Sequence, residues 1–139
     1  MKQHHSLRGF TLIELMVIIL IIGILASFVA PMVFQTGEDA KKKVAAAEIE
    51  KILNILERYR LSNGTYPSTE QGLKALVEKP TTPPIPTAWQ KGGYIKRLPK
   101  DPWKREYQYL NTDGTIYLYS QGPKKDSEDD DIGNKASQE

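Results

Sequence analysis

Two places in this sequence hold acids where binding or charge chemistry could follow. The first is Glu14, the one ionisable residue from Phe10 to Phe34 in "RGFTLIELMVIILIIGILASFVAPMVF". An acid inside a membrane helix costs about 2.5–3.5 kcal/mol at the bilayer centre and less near an interface. Two readings account for it. Either Glu14 sits at headgroup depth and snorkels to water, or it pairs with a positive charge from a neighbouring copy, such as the α-amine that a cut after Gly9 would create at Phe10. The second place is "SQGPKKDSEDDDIGN", which gathers Asp126, Glu128, Asp129, Asp130 and Asp131. These acids form either a disordered, solvated tail or the oxygen shell of a hard cation, and calcium takes about 6–8 oxygens, backbone carbonyls included. The spacing is not that of an EF-hand.

Other chemistry has few players. Cysteine is absent, which removes disulfides, thiolate metal sites and a cysteine nucleophile together. The two histidines, His4 and His5, both precede the apolar run. Neither a G-x-S-x-G stretch nor a P-loop occurs, so a membrane-anchored enzyme or binding module lacks an evident catalytic set. The formal net charge of +2 comes from interleaved acids and bases, without the basic stripe of a nucleic-acid binder.

The apolar run is long enough to be a membrane helix, since about 20 residues at about 1.5 Å each cover the hydrocarbon core. A secretory signal has a shorter apolar region and a small-residue cleavage site. Lys2 and Arg8 place the N-terminus in the cytoplasm and the remainder outside it. Gly23 lowers helix propensity by about 1 kcal/mol, and Pro31 removes the amide that would reach the Ser27 carbonyl, so the stretch between them is weakened. A kink tolerated in a membrane helix accounts for this pair as well.

Beyond "QTGEDA", Ala45, Ile49, Ile52, Leu56 and Tyr59 recur at three- and four-residue spacing and predict an amphipathic helix over Lys41 to Leu61. "SNGTYP" ends it. "STEQGLKALVEKP" predicts a short helix capped by Ser68 or Thr69 and closed by Pro80. "PTTPPIPTAWQKGGYIKRLPKDPW" has neither periodicity and reads as an extended loop, anchored in the core by Trp89, Tyr94, Leu98 and Trp103. "REYQYLN" and "TIYLYSQG" alternate around Asp113-Gly114 as a hairpin. One face carries Tyr107 and Tyr109, with either Ile116 and Leu118 or Tyr117 and Tyr119 opposite. An α+β domain follows, its small antiparallel sheet covering the helix stripe.

The segment "RGFTLIELMVIILIIGILASFVAP" resembles the class III signal of type IV pilins and pseudopilins, with Gly9, Phe10, Thr11, Leu12, Glu14, Gly23 and Pro31 at that family's spacing. The resemblance implies that a prepilin peptidase cuts between Gly9 and Phe10 and methylates the Phe10 amine. It implies too that Glu14 neutralises the terminal amine of an adjacent subunit, and that the helix unwinds between Gly23 and Pro31 in the filament. His4 and His5 leave with the leader.

"YPSTEQGLKALVEKP", "GGYIKRLPKDPW", "YQYL" and "SQGP" before the acidic segment extend the likeness over nearly the whole chain, which resembles the major pseudopilins of type II secretion systems. "YIKRLPKDPW" is the specific block. The expected fold is α+β and type IV pilin-like: a long N-terminal α-helix, membrane-spanning in its first half, packed on a small antiparallel β-sheet with a C-terminal metal-binding loop. Its parts are a leader over 1–9, a transmembrane and assembly helix over 10–34, and a periplasmic domain over 35–139. The implied function is a homopolymeric pseudopilus that drives folded exoproteins through the outer-membrane secretin, with minor pseudopilins and an inner-membrane assembly platform as partners. The implied location is the inner membrane, single-pass. The resemblance further implies one structural calcium ion, held by the Gln121 carbonyl, the Asp130 carboxylate and the Ile132 carbonyl. Where the family has an aspartate just after Gly-Pro this chain has Lys124, and Asp126 would take over that role. The alternative is a type IV pilin for adhesion or motility, against which stands the missing cysteine pair.

Overall fold

Five apolar residues at helical spacing decide where the core lies. Ala45, Ile49, Ile52, Leu56 and Tyr59 are each at most 3 % exposed, and removing side chains the size of Ile49, Ile52 and Leu56 from water contributes about 1.5–3 kcal/mol apiece. The structure, a computed structural model, describes residues 9–125 and 127–134, without the side chains of 30–35 and 128. It divides into two compact units, Met1–Gly37 and Glu38–Glu139. Helix α1, Leu12–Asn63, contributes to both. It stops where expected, with Asn63 donating to the Tyr59 carbonyl and the Tyr94 hydroxyl, and Gly64 in the left-handed region at φ 82°.

In the second unit, strands β1 (Gln108–Thr112) and β2 (Thr115–Ser120) form the expected hairpin. The pairing Thr112↔Thr115 leaves Asp113 and Gly114 as a two-residue turn, both at positive φ, the backbone that matches strand twist. Leu118 is buried with Tyr107, and Ile116 and Tyr109 pack beside them, so the Ile116 and Leu118 face is the one that covers the helix. Burial first, then the nearby charges of Glu48 and Asp101, pushes the Tyr107 phenol up to about 12.

A third strand, β3 (Ile132–Asn134), pairs antiparallel with β2 and gives the order β1-β2-β3. Three residues at the end of an acidic stretch offer no alternation to count, so this strand is not expected from the sequence. On the other side, the free edge of β1 is plugged. Thr69 Oγ1 donates to the Asn111 carbonyl at 3.0 Å and accepts from the Asn111 amide at 2.9 Å, occupying groups that would otherwise recruit another strand.

The expected short helix after Ser68 is a single 3-10 turn, Leu73–Leu76. Ser68 and Gln71 exchange side-chain to amide hydrogen bonds ahead of it, and Gly72 at φ 57° breaks the run before the turn begins. The proline-rich loop is held mainly by polar side chains. Gln71 Nε2 donates to the Thr82 and Pro84 carbonyls, Trp89 Nε1 donates to Ala75, and Tyr94 packs its ring 5.3 Å from that of Tyr59. Trp103 is a correction. It is half-buried and outside the core cluster, because its indole Nε1 seeks an acceptor and donates to Glu38 Oε2 on α1 at 3.0 Å.

The chain around Trp103 is organised by Asp101, 3 % exposed. Its Oδ1 accepts from the amides of Trp103 at 3.0 Å and Arg105 at 2.7 Å, while Oδ2 accepts from the Ser120 hydroxyl at 2.7 Å. Ser120 Oγ in turn accepts from the Gly122 amide at 3.2 Å. One buried carboxylate thus joins the "KDPW" turn, the end of β2 and the start of the C-terminal loop.

Asp101→Ala would leave buried donors without an acceptor and is expected to cost about 3–5 kcal/mol, measured by denaturant unfolding of the chain in detergent. Gly122 sits at φ 63°, and a Cβ there would lie 1.9 Å from the Asp130 carbonyl oxygen. Gly122→Ala is therefore expected to cost at least about 1–3 kcal/mol of backbone strain, and limited proteolysis should cut first between residues 121 and 131.

Candidate functional site

The N-terminal unit presents an apolar helix with one acid at its start. The stretch Leu12–Val29 is apolar and long enough to cross a membrane, with none of it buried within the chain. Free energy favours covering such a surface with lipid or with like helices. The Gly9–Phe10 bond lies outside α1, on exposed, non-helical backbone. The backbone of α1 is helical through both Gly23 and Pro31 in the single chain. His4, His5, Lys2 and Arg8 lie outside the described residues.

Glu14 has a partner within its own chain. Its Oε2 accepts from the Thr11 amide at 2.8 Å and the Thr11 hydroxyl at 2.9 Å, while the Glu14 amide donates to Thr11 Oγ1 at 3.3 Å. This is a capping box, in which Thr11 precedes the first helical residue and Glu14 satisfies an amide that the helix leaves unpaired. The pattern T-x-x-E was legible at positions 11–14 and belongs beside the two readings of Glu14. An acid so placed is close to the helix start, about 4.5 Å along the axis at about 1.5 Å per residue, and is compatible with headgroup depth.

The second candidate lies at the C-terminal loop. Ser120 pairs with Ile132, and the carbonyl of Asp130 lies against Gly122. Gln121, Asp130 and Ile132 are thereby gathered at the neck of one loop, closed by a 3-10 turn over Glu128–Asp130. Asp126 falls outside the described residues, and among the described residues no three His, Cys, Asp or Glu side chains are grouped for a metal. What the neck does hold is an ion pair to α1. Lys42 Nζ stands 3.7 Å from Asp130 Oδ1, the two side chains 42 % and 20 % exposed. Carboxylate and carbonyl oxygens are the donor types calcium prefers, but among the described residues Asp130 is the one carboxylate of the expected ligand set, and its neighbour in the structure is the Lys42 ammonium. Lys42 carried no distinguishing signal in the sequence, as one of three successive lysines.

Comparison with known proteins bears on the identity of the chain. The family described as "Type II secretion system (T2SS), protein G" matches residues 32–137, and the prokaryotic N-terminal methylation motif matches residues 6–30. The type II secretion system core protein G of Dickeya chrysanthemi is 50 % identical over 130 residues, 91 % of this chain and 85 % of that protein. Its counterpart in Pseudomonas aeruginosa is 49 % identical over 138 residues, covering 95 % of this chain and 97 % of that one. The crystal structure of the major pseudopilin from the type 2 secretion system of enterohaemorrhagic Escherichia coli superposes with a TM-score of 0.66 at 42 % identity, over 73 % of this chain and 91 % of that one. With an apolar methylation-motif helix, the helix-on-hairpin unit and identity of this extent along the whole chain, the protein belongs to the type II secretion system protein G family, the major pseudopilins.

Proposed function

We propose that this chain, a structural and not a catalytic subunit of the type II secretion pseudopilus, assembles through its N-terminal helix. The observation that carries the reading is the wholly exposed apolar stretch Leu12–Val29 with one carboxylate at its start. A prepilin peptidase removes residues 1–9 and the Phe10 amine is methylated. Before assembly the helix spans the inner membrane, with Lys2 and Arg8 on the cytoplasmic side and the second unit in the periplasm. Glu14 leaves its bonds to Thr11 and pairs with the Phe10 amine of an adjacent copy, so that the acid tolerated in the monomer becomes the register mark of the filament. Gly23 and Pro31 provide the weak stretch where the helix can unwind on packing.

The partners of that filament are further copies of this chain, minor pseudopilins, an inner-membrane assembly platform and the secretin. The second unit is carried outside the packed helices. The protein G match supports this reading over a pilin for adhesion or motility.

A structural calcium ion belongs to the same proposal. It would be held by Asp130, by the carbonyls of Gln121 and Ile132, and by Asp126 in place of the acid missing at Lys124. Bound there, the ion would supply positive charge shared among loop oxygens. This domain has no disulfide to close its C-terminal loop, and an ion that binds only the folded form adds about 2.7 kcal/mol at a hundredfold excess over Kd.

Glu14→Ala is expected to leave cleavage and membrane insertion intact and to reduce filaments at least about tenfold, since losing one partner of a buried charge pair costs about 2–5 kcal/mol; normal filaments on electron micrographs would overturn the pairing. Chelation of calcium is expected to lower the melting temperature of the chain in detergent by about 10 °C, a difference that Asp130→Ala should abolish.

A further inference from the structure

Trp103 is a large aromatic side chain that the core leaves out. It is half-buried, with its indole Nε1 tied to Glu38 Oε2 at 3.0 Å, and Glu38 is the residue at which the second unit begins. The membrane-spanning reading limits how far that residue can be from a bilayer. With Glu14 at headgroup depth, the apolar residues from Leu15 to Phe34 cover about 30 Å at about 1.5 Å per residue, the thickness of a hydrocarbon core. Glu38 follows Phe34 by four residues, which is about 6 Å as helix and at most about 14 Å fully extended. The polar layer of a bilayer is about 5–8 Å deep on each side. Chain length alone therefore keeps Glu38, and the indole it holds, at or near the headgroups.

That depth suits Trp103 and the residues around it. Tryptophan is enriched at membrane–water interfaces, where its ring meets the acyl boundary while its N–H keeps a polar partner, and Glu38 is that partner here. Lys104 follows, exposed and at φ 67°, on a turn closed by its amide donating to the Asp101 carbonyl at 2.8 Å. Lys41, Lys42 and Lys43 come next along α1, and helical side chains lean toward the N-terminus, which for α1 is the membrane side. Lys41 pairs with Glu38 and Lys42 with Asp130. Lys43 and Lys104 are exposed and form no ion pair among the described residues, with the exposed Asp39 as the opposing charge. Lysine stems of this length reach phosphate oxygens from beyond the acyl boundary.

We propose that the turn carrying Trp103 is a membrane-interface anchor: in the unassembled subunit the indole enters the headgroup layer of the bilayer that Leu12–Val29 spans, with Lys43 and Lys104 on lipid phosphates. This rests on the membrane-spanning reading above and goes beyond it, because it gives the periplasmic unit a lipid contact of its own. The contact is given up when the helix leaves the bilayer for the filament, so it opposes extraction and orients the unit until then.

The test is quenching of tryptophan emission by bromine in the full processed chain, reconstituted in phosphatidylcholine/phosphatidylglycerol vesicles brominated near the headgroup end of the acyl chains. In Trp89→Phe the emission comes from Trp103 alone. In Trp103→Phe it comes from Trp89, which is tied to the Ala75 carbonyl within the second unit. A third chain, Ile24→Trp with both native indoles replaced by Phe, reports on the span itself, with bromine at the chain ends. The expected result is loss of most of the Trp103 emission and of the Ile24→Trp emission, with that of Trp89 unchanged. Quenching of Ile24→Trp without quenching of Trp103 would overturn the anchor and leave the spanning helix standing, whereas no quenching in either would overturn both. Equal quenching of Trp89 and Trp103 would overturn the anchor as well, because the unit would then lie on lipid without a preferred face. A second measurement guards against unfolding by Trp89→Phe. The chain has no cysteine, so single spin labels go on Lys104→Cys and on Leu61→Cys, two exposed positions, the latter about 34 Å along α1 from Glu38 at a helical rise. A nickel chelate carried on a lipid headgroup should broaden the label at 104 and spare the one at 61; equal broadening, or the reverse, would overturn the anchor.

Discussion

A single buried carboxylate holds together the parts of the second unit that carry no regular structure. Asp101 accepts from two amides of its own turn and from the Ser120 hydroxyl. Burying a charge is costly unless it is fully hydrogen-bonded, and here three donors and the Arg105 guanidinium, 3.7 Å away, surround it. The same interaction places Trp103 on the Glu38 side of α1. Through Ser120 and the Gly122 amide it also sets the geometry at which the C-terminal loop departs. A three-stranded sheet whose last strand has three residues cannot fix these positions by ladder hydrogen bonds alone. In a chain without disulfides, buried polar contacts take over that part.

The first unit follows a different physical rule. None of its apolar stretch Leu12–Val29 is buried within the chain, so the environment of those side chains must come from lipid or from other copies. Glu14 is compatible with both environments because its hydrogen bonds to Thr11 compensate the acid locally. The capping box also begins the helix where the processed chain would begin, two residues after Phe10. The helix start and its capping box thereby fall within the same six residues, Gly9 to Glu14, as the processing site and charge pair proposed above.

Charge on the second unit is arranged for local fastening. Arg60 forms a bidentate contact to Glu57, and Tyr66 donates to the same carboxylate at 2.6 Å. The Arg60 and Tyr66 bonds hold the Glu57 carboxyl down at about 2. At the other end of the α1 segment in this unit, Glu38 is held below the usual carboxylate range, first by Lys41 and then by the Trp103 indole. These contacts tie loop segments to both ends of one helix segment. Lys42 and Asp130 add the C-terminal loop to the set.

Local periodicity and local motifs were legible without any coordinates. The stripe from Ala45 to Tyr59, the end of α1 near Asn63, the Asp113-Gly114 hairpin and the apolar helix behind Gly9 each depend on neighbours a few residues apart, and the sequence records such spacing directly. The "YIKRLPKDPW" block was recognisable by resemblance, but its physical reason was hidden. Asp101 meets Ser120 across 19 positions and Trp103 meets Glu38 across 65, and no window of sequence contains both partners. For the same reason only the tertiary structure decided that the segment after Gly72 tightens into one 3-10 turn, that Ile132–Asn134 joins the sheet, and which of three successive lysines reaches Asp130. Each of those outcomes depends on what the chain packs against, and hydrogen-bonding demand, not residue pattern, selects it.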